Sequence, residues 1–242
     1  KTRAIMPVHY AGQPCQMDEI IDIAKRYNLM IFEDAAHGLG AEYNGKKIGN
    51  IGDTTSFSFH VQKNLTTAEG GMLTTNNDDW ANKLRVLRLH GMTKDAWGRA
   101  SCSQVHYDVI FPGYKCNMTD IQAALGLAQL SKLEDYISLR QKYVKMYNEA
   151  FSQIQQISLI KRINGIRHSE NMYVIMLNLE MLTIDRDEFV KYLQAENIFC
   201  AVHFKPIHLH SYYADTFGYK RGDYPNAEYA FDRVITLPLS PG

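Results

Sequence analysis

The sequence has no apolar run of membrane-spanning length, and no charged-then-apolar leader opens it. It also has no charge excess, since 26 Lys and Arg residues balance 26 Asp and Glu residues. Proteins that bind nucleic acids or membrane surfaces usually carry a basic excess or stripe, so we expect neither partner. Hydrophobic residues make up 45% of the 242 positions, enough for a substantial core. These features predict a globular cytoplasmic protein.

Cysteine is scarce, and the four cysteines form no C-x-x-C pair; they are Cys15, Cys102, Cys116 and Cys200. Such spacing does not suit a zinc ribbon, and the number is low for a disulfide framework. We therefore predict free thiols in a reducing compartment.

Common enzyme motifs are also absent, namely G-x-G-x-x-G, G-x-x-x-x-G-K-[ST], G-x-S-x-G and H-E-x-x-H. Their absence removes the simplest support for dinucleotide binding, P-loop chemistry and serine-hydrolase chemistry. His203, His208 and His210 could bind a metal, but a proline lies among them and no carboxylate or thiol completes a site. We predict no metal site.

The first half of the chain alternates helix-like and strand-like segments. One predicted helix covers Asp18–Tyr27, and a second begins at the polar turn Asn76–Asp79 and runs through Leu84 and Leu87. The predicted strands are Leu29–Phe32, Thr55–His60 and Met72–Thr75. Such alternation is typical of an α/β fold, with a mostly parallel sheet flanked by helices. Ligands of such sheets bind beyond the carboxyl ends of the strands, where Asp34 and the segment after His60 lie.

The second half begins with a helix-start pattern, Thr119-Asp120-Ile121-Gln122, that matches a capping box. The helical pattern continues through Val144, longer than an ordinary globular helix, so we expect a break or a connecting helix. A smaller α+β unit follows, with strands predicted over Met172–Leu179 and Ile198–His203 and a helix over Asp187–Glu196. We predict a large domain over 1–150 and a small C-terminal domain over 151–242.

The chain does not begin with Met, and strand-like patterns run up to both ends. We therefore expect a piece of a longer protein, truncated on both sides.

Two segments carry residues suited to one cofactor, pyridoxal phosphate: Phe32–Gly40, with Asp34, and Ser56–Gly71, with Lys63. This cofactor needs a lysine for a Schiff base, a carboxylate for its ring nitrogen, and hydroxyls and amides for its phosphate. Residue types alone leave other interpretations open. Asp34 could cap a helix, Lys63 could be a surface lysine, and Glu69-Gly70-Gly71 could be only a tight turn.

Several ordered runs resemble the DegT/DnrJ/EryC1/StrS family of sugar aminotransferases, which use pyridoxal phosphate. They are Pro7-Val8-His9-Tyr10-Ala11-Gly12-Gln13-Pro14, Glu33-Asp34-Ala35-Ala36-His37, the Lys63 segment, Leu89-His90-Gly91-Met92, Pro112–Asp120, Val202–His208 and Leu237-Pro238-Leu239. Within the family, the form Asp34-Ala35-Ala36-His37 and the run Gly113–Asp120 are most similar to the enzyme making UDP-4-amino-4-deoxy-arabinose. The resemblance implies the aspartate-aminotransferase-like fold, called fold type I among pyridoxal-phosphate enzymes.

The resemblance also implies roles for individual residues. Lys63 would be the Schiff-base lysine and proton carrier, and Asp34 would pair with the pyridine nitrogen. His37 would lie beside the ring hydroxyl, and Ser58 would bind the phosphate. Asn117 would reach the phosphate of the neighbouring subunit's cofactor, and His203 and His208 would lie near the sugar nucleotide. From local pattern alone, Ser58 could simply face outward from a strand, and Asn117 could be a turn residue.

The family resemblance further implies a homodimer with its active site at the subunit interface. Glutamate would donate the amino group, and a UDP- or dTDP-linked keto sugar would accept it. Three alternatives stay open: a cofactor-binding regulator without catalysis, a dehydratase of the same fold, and an α/β binding protein without the cofactor. Lys63 disfavours the dehydratase, which carries His in place of the lysine. Family members are longer on both sides and carry further cofactor contacts in their N-terminal part.

Overall fold

The structure is a computed structural model that describes residues 1–93 and 107–241. Its contacts divide the chain into two compact units, Lys1–Glu134 with Gly165–Ser169, and Asp135–Asn164 with Glu170–Gly242. The domain limits 1–150 and 151–242 stay a prediction. The return of Gly165–Ser169 to the first unit is a long-range contact that no local sequence pattern signals. Cys102 lies outside the described residues; Cys15, Cys116 and Cys200 are free thiols.

The helices are α1 Met17–Tyr27, α2 Asp78–Leu87, α3 Asp120–Leu130, α4 Leu133–Phe151, α5 Arg186–Ala195, α6 Ser211–Phe217 and α7 Pro225–Phe231. The strands are β1 Ala4–Ile5, β2 Met30–Asp34, β3 Glu42–Tyr43, β4 Lys46–Lys47, β5 Thr54–Ser58, β6 Gly71–Thr74, β7 Ile157–Leu159, β8 Ile166–Arg167, β9 Tyr173–Leu177 and β10 Val234–Leu237. Among the described residues, no helix is long and apolar enough to cross a membrane.

The main sheet of the first unit has the strand order β1-β2-β5-β6. Strands β1, β2 and β5 are parallel, as predicted, whereas β6 pairs antiparallel with β5. Because β2 and β5 are parallel neighbours, their carboxyl ends, Asp34 and Ser58, lie at the same edge of the sheet. This edge is where the fold class places ligands.

Helix α1 packs on the main sheet through a narrow apolar face. Met17 and Ala24 are buried with Ile31 of β2 in one hydrophobic cluster. The helix ends at Tyr27 and is followed by Asn28, whose φ of +50° places it in the left-handed region that terminates helices. Met30 can then pair directly with Ala4 of β1.

The long helical pattern of the sequence is broken between α3 and α4, as expected. Thr119 and Gln122 form the predicted capping box, in which each side chain bonds the other residue's backbone N–H. Helix α3 ends at Leu130, and Ser131 and Lys132 form a turn before α4 begins.

The second unit is built on the antiparallel sheet β10-β9-β7. Its core holds Ile175 and Leu177 of β9, Ile235 of β10 and Val144 of α4. The prediction of a strand over Ile198–His203 is wrong, because only Ala201 makes a bridge there, with Thr236. The apolar residues of this segment predict a strand, but they include Phe199, whose side chain is exposed. The apolar pattern here therefore does not mark a strand packed into a sheet.

Candidate active site

Asp34 ends β2, and its position is fixed by backbone bonds on both sides. The Asp34 N–H donates to the carbonyl oxygen of Pro7, and the Asp34 carbonyl oxygen accepts from the N–H of His9. Its side-chain Oδ1 accepts from the N–H of Ala36 at 2.9 Å, which turns the chain directly after the strand. Asp34 is half-buried, so its carboxylate can face a bound group at the end of the sheet.

Lys63 follows β5 on a tight turn in which its N–H donates to the carbonyl oxygen of His60 at 3.0 Å. The side chain is half-buried. Burial lowers the pKa of Lys63 below its usual value, and the negative charge of Asp34 opposes this shift in part. The structure therefore brings the two central predicted residues within electrostatic reach. Lowering the pKa of a lysine increases the fraction of unprotonated amine, which is the form that acts as a nucleophile or base.

The loop after Lys63 is held closed by its own backbone. The N–H of Phe59 donates to the carbonyl oxygen of Gly70, and the N–H of Thr67 donates to the carbonyl oxygen of Phe59. Thr66 Oγ1 also donates to that carbonyl oxygen, at 3.1 Å. Ala68 adopts a φ of +65°, so the loop accepts one strained residue in order to close.

Helix α3 contributes two glutamine side chains to the Lys63 loop. Gln122 Nε2 donates to the carbonyl oxygen of Glu69 at 2.7 Å, and Gln129 Oε1 accepts from the N–H of Thr66 at 3.0 Å. The capped start of α3 therefore also orients the loop that carries the lysine. No sequence motif predicts this contact, because the capping box alone accounts for a glutamine at position 122.

Ser58 is the last residue of β5, and its Oγ accepts from the N–H of His60 at 3.3 Å. This bond uses one of the hydroxyl's acceptor positions and leaves its hydrogen for another acceptor, such as a phosphate oxygen.

His37 lies in the turn after Asp34, next to the segment that follows β1. Its Nδ1 accepts from the N–H of Ala11 at 3.3 Å, and its ring lies 6.2 Å from the ring of Tyr10. Ser169 Oγ donates to the carbonyl oxygen of His37 at 2.8 Å. Asp34 and Ser58 thus end neighbouring strands at one edge of the main sheet, and His37 and Lys63 lie in the turns that follow these strands.

Asn117 is half-buried and lies just before the cap of α3. The chain is attached there to the end of α2, because the N–H of Cys116 donates to the carbonyl oxygen of Arg88 at 2.8 Å.

The two predicted substrate histidines belong to the second unit. His203 Nδ1 lies 2.8 Å from Thr236 Oγ1, and its ring contacts Phe204 edge-on. His208 is buried, with Nε2 at 2.8 Å from Glu228 Oε1 and its ring against Tyr224.

A cavity of about 860 Å³ lies between α2 and the β5–β6 pair. Ser56, Leu73, Leu84 and Arg88 are among its lining residues. Ser56 and Ser58 share one face of β5, yet the described lining includes Ser56 and not Ser58 or Lys63. We therefore do not identify this cavity with the site around Asp34.

Residues 1–242 match the DegT/DnrJ/EryC1/StrS aminotransferase family. The chain belongs to this family. Among its relatives, the spore coat polysaccharide biosynthesis protein SpsC of Bacillus subtilis is 45% identical over 243 aligned positions, covering 100% of this chain and 62% of SpsC. The family assignment confirms the expected type of fold.

Two solved structures have the same fold as this chain. Spr1654 of Streptococcus pneumoniae, in its PMP form, has a TM-score of 0.87 and 34% identity, covering 99% of this chain and 65% of that one. PseC of Helicobacter pylori, an aminotransferase involved in the biosynthesis of pseudoaminic acid, has a TM-score of 0.89 and 29% identity. The alignment with PseC covers 100% of this chain and 62% of the PseC chain. The chain thus spans less than two thirds of the length of these relatives.

These comparisons support pyridoxal phosphate as the cofactor, since Spr1654 has been solved in both PLP and PMP forms. The residues of this chain fit it. A lysine with a lowered pKa stands within electrostatic reach of a strand-end carboxylate, and a serine hydroxyl ends the neighbouring strand. These are the amine, the carboxylate and a phosphate donor that this cofactor requires.

Proposed function

We propose that the protein containing this chain is a pyridoxal-phosphate aminotransferase that moves an amino group from glutamate to a nucleotide-linked keto sugar. The observation that carries the proposal is that the parallel strands β2 and β5 end side by side at Asp34 and Ser58, with Lys63 on the turn that follows β5 and within reach of the charge of Asp34. Each belongs to a run that resembles the family, and the fold brings the two runs together.

Lys63 would hold the cofactor covalently through Nζ and move a proton during the exchange of amino groups. Its lowered pKa supports this role, because an amine must lose its proton before it can accept another. Asp34 would keep the proton on the cofactor's ring nitrogen, since a carboxylate facing that nitrogen favours the protonated form. When bound, pyridoxal phosphate supplies an electron sink for the carbon that loses its proton.

Three further residues would orient the cofactor. Ser58 would donate its hydroxyl hydrogen to the phosphate, and His37 would lie beside the ring hydroxyl. His37 Nδ1 accepts from the N–H of Ala11, so the ring proton of the neutral imidazole lies on Nε2. Asn117 would act on the cofactor of the neighbouring subunit.

The substrate class rests on the relatives. SpsC is named for spore coat polysaccharide biosynthesis and PseC for pseudoaminic acid biosynthesis, and both names point to sugar chemistry. A UDP- or dTDP-linked keto sugar as acceptor, with glutamate as donor, is the proposal for this protein. His203 and His208 would lie near the sugar nucleotide. A 4-amino-arabinose product is the narrower form of this hypothesis.

A homodimer in the cytoplasm completes the proposal, and helix α3 supports the dimer. Ile121 is 85% exposed and Leu127 69%, and Leu125 and Leu130 are exposed as well. Exposed apolar side chains grouped on one short helix are typical of an interface between subunits. This helix starts three residues after Asn117, the residue proposed to act across that interface.

The deciding experiment records the visible absorbance of the full-length protein with pyridoxal phosphate, before and after glutamate is added. Borohydride reduction followed by peptide mass spectrometry then locates the attached cofactor. We expect a yellow protein that bleaches with glutamate, and attachment at Lys63. Lys63→Ala should lose both, whereas Lys83→Ala, on the exposed surface of α2, should keep both.

A folded wild-type protein that stays colourless would overturn the proposal in favour of a binding protein without cofactor. Bound cofactor that never bleaches with any amino donor would favour a regulator without catalysis.

A further inference from the structure

The face of β2 opposite Asp34 carries a buried polar cluster with no role in the proposed chemistry. Glu33 precedes Asp34 in the strand, so the two side chains point to opposite faces of the sheet. Glu33 is 1% exposed and His9 is 0% exposed. His9 Nε2 lies 2.8 Å from Glu33 Oε2.

Every polar atom of this cluster has a partner. Glu33 Oε1 accepts from Thr55 Oγ1 and from the N–H of Gly52, each at 2.7 Å. Burial raises the pKa of Glu33, but hydrogen bonds from His9, Gly52 and Thr55 outweigh burial and lower it. The carboxylate is therefore ionised at neutral pH.

The hydrogen bond at the second ring nitrogen of His9 shows which nitrogen carries the ring proton. His9 Nδ1 accepts from the backbone N–H of Cys15 at 3.1 Å, so the ring proton lies on Nε2 and points to Glu33. The imidazole thus bridges a carboxylate on β2 and the backbone of Cys15. A buried group bonded at both ends fixes the position of its own backbone.

His9 belongs to the segment Val8–Gly12, which touches both Asp34 and His37. The backbone N–H of His9 donates to the carbonyl oxygen of Asp34 at 3.0 Å. Two residues later, the N–H of Ala11 donates to His37 Nδ1. Ala11 has a φ of +58°, in the left-handed region that a residue with a Cβ disfavours. The segment needs an anchor to hold Ala11 in that conformation.

We infer that His9 is a positioning residue: its hydrogen bond to Glu33 holds Val8–Gly12 so that Ala11 fixes His37 with its proton on Nε2. This inference rests on the proposed function, because it matters for catalysis only if His37 lies beside the cofactor. Among the described residues, His9 hydrogen-bonds to Glu33, Cys15 and the backbone carbonyl oxygen of Asp34, and not to Lys63 or the carboxylate of Asp34. It acts through the backbone that surrounds them.

The test measures the ring nitrogens of His37 by ¹⁵N NMR in the cofactor-free, full-length protein. The wild type should show an unprotonated Nδ1 with coupling across the bond from Ala11, and a protonated Nε2. His9→Gln and the milder Glu33→Gln should weaken that coupling and give His37 a mixture of both neutral forms. Unfolding temperatures measured in parallel identify variants that remain folded.

The matched control is Glu228→Gln, which breaks the buried His208–Glu228 pair of the second unit. That pair has the same 2.8 Å separation between a histidine Nε2 and a glutamate oxygen. The control should lose stability as Glu33→Gln does, yet leave the His37 signals unchanged. A general effect of losing a buried pair would alter His37 in all variants alike, and that result would overturn the inference.

A second readout is the dissociation constant for pyridoxal phosphate itself. We expect about a tenfold weakening in Glu33→Gln and no change in Glu228→Gln, as for a disturbed buried hydrogen bond. If the folded Glu33→Gln protein keeps the wild-type His37 signals, the inference is wrong, whatever its affinity. If the wild type shows the expected His37 signals but binds no cofactor, the proposed function fails and the positioning role stands.

Discussion

Asn64 donates a hydrogen bond from Nδ2 to the backbone carbonyl oxygen of Ser169, at 2.7 Å and shielded from solvent. Ser169 in turn donates from its N–H to the carbonyl oxygen of Gly12 and from Oγ to that of His37. One buried serine, distant in sequence, therefore joins the segments that carry Lys63, His37 and His9. The geometry of the candidate site depends on this connection.

Asn64→Ala should destabilise the protein and loosen the Lys63 turn. The carbonyl oxygen of Ser169 would lose a buried donor, which reduces the free energy of unfolding by about 1–3 kcal/mol. We expect a similar loss in the free energy of cofactor binding, because Asn64 directly follows Lys63. Chemical unfolding and cofactor titration measure the two effects.

The control for Asn64 is Asn76→Ala, which removes an exposed side-chain bond to Asn50. A surface contact of this kind contributes little, so its unfolding free energy should change by less than about 0.5 kcal/mol. Equal effects from both substitutions would show that the Ser169 connection has no special importance.

The amine of Lys63 should react with acylating reagents faster than that of exposed Lys83 near neutral pH. Only the unprotonated amine reacts, and burial lowers the pKa of Lys63. Asp34 opposes that shift, so Asp34→Asn should lower the pKa of Lys63 further and accelerate its acylation. Mass spectrometry of the cofactor-free protein, acylated at several pH values, compares the two lysines in one sample.

Slower acylation of Lys63 in Asp34→Asn would contradict the proposed pairing, provided that the rate at Lys83 is unchanged. It would mean that Asp34 acts on the access of the reagent rather than on the charge of the lysine.

The sequence predicts which residues form the site better than it predicts the hydrogen bonds that hold them in place. Alternating strands and helices placed Asp34 and Lys63 near the ends of two strands, and the capping box located the start of α3. The contact between Gln122 and Glu69 was not predictable, because it depends on how α3 packs against a loop distant in sequence. The pairing of His9 with Glu33 likewise depends on the parallel register of the first strands.

The predicted strand over Ile198–His203 shows a different limit. Apolar residues such as Ile198 and Phe199 favour an extended chain, but only Ala201 finds a partner, in β10. Strand formation depends on neighbouring edges that a local pattern does not reveal.

Gln122→Glu should loosen the Lys63 loop without uncapping α3. Glutamate keeps the oxygen that accepts from the N–H of Thr119 but lacks the Nε2 donor that binds the carbonyl oxygen of Glu69. Losing that bond, worth about 1 kcal/mol, should speed hydrogen exchange at the Thr67 amide roughly fivefold. The amide of Ala123, in the first turn of α3, should keep its wild-type rate.

Gln122→Ala is the comparison, because it removes the glutamine half of the capping box together with the loop contact. Exchange should then accelerate at Thr67 and at Ala123 together. If Gln122→Glu also accelerates Ala123, the two functions of Gln122 are not separable.

The free energy of unfolding should depend on pH in the acidic range, because Glu33 takes up a proton there. Its pKa in the folded protein lies below the ordinary value of 4.5, so its contribution is fully present above that value and is lost as pH falls through the folded pKa. Near neutral pH, Glu33→Gln should lower the unfolding free energy by about 1–3 kcal/mol, because Gly52, Thr55 and His9 would lose an ionised acceptor. On acidification below the ordinary value, the wild type should lose stability faster than the variant, and the difference between them should shrink. Urea unfolding across this range measures it, and a difference that stays constant with pH would show that Glu33 is not ionised in the folded protein.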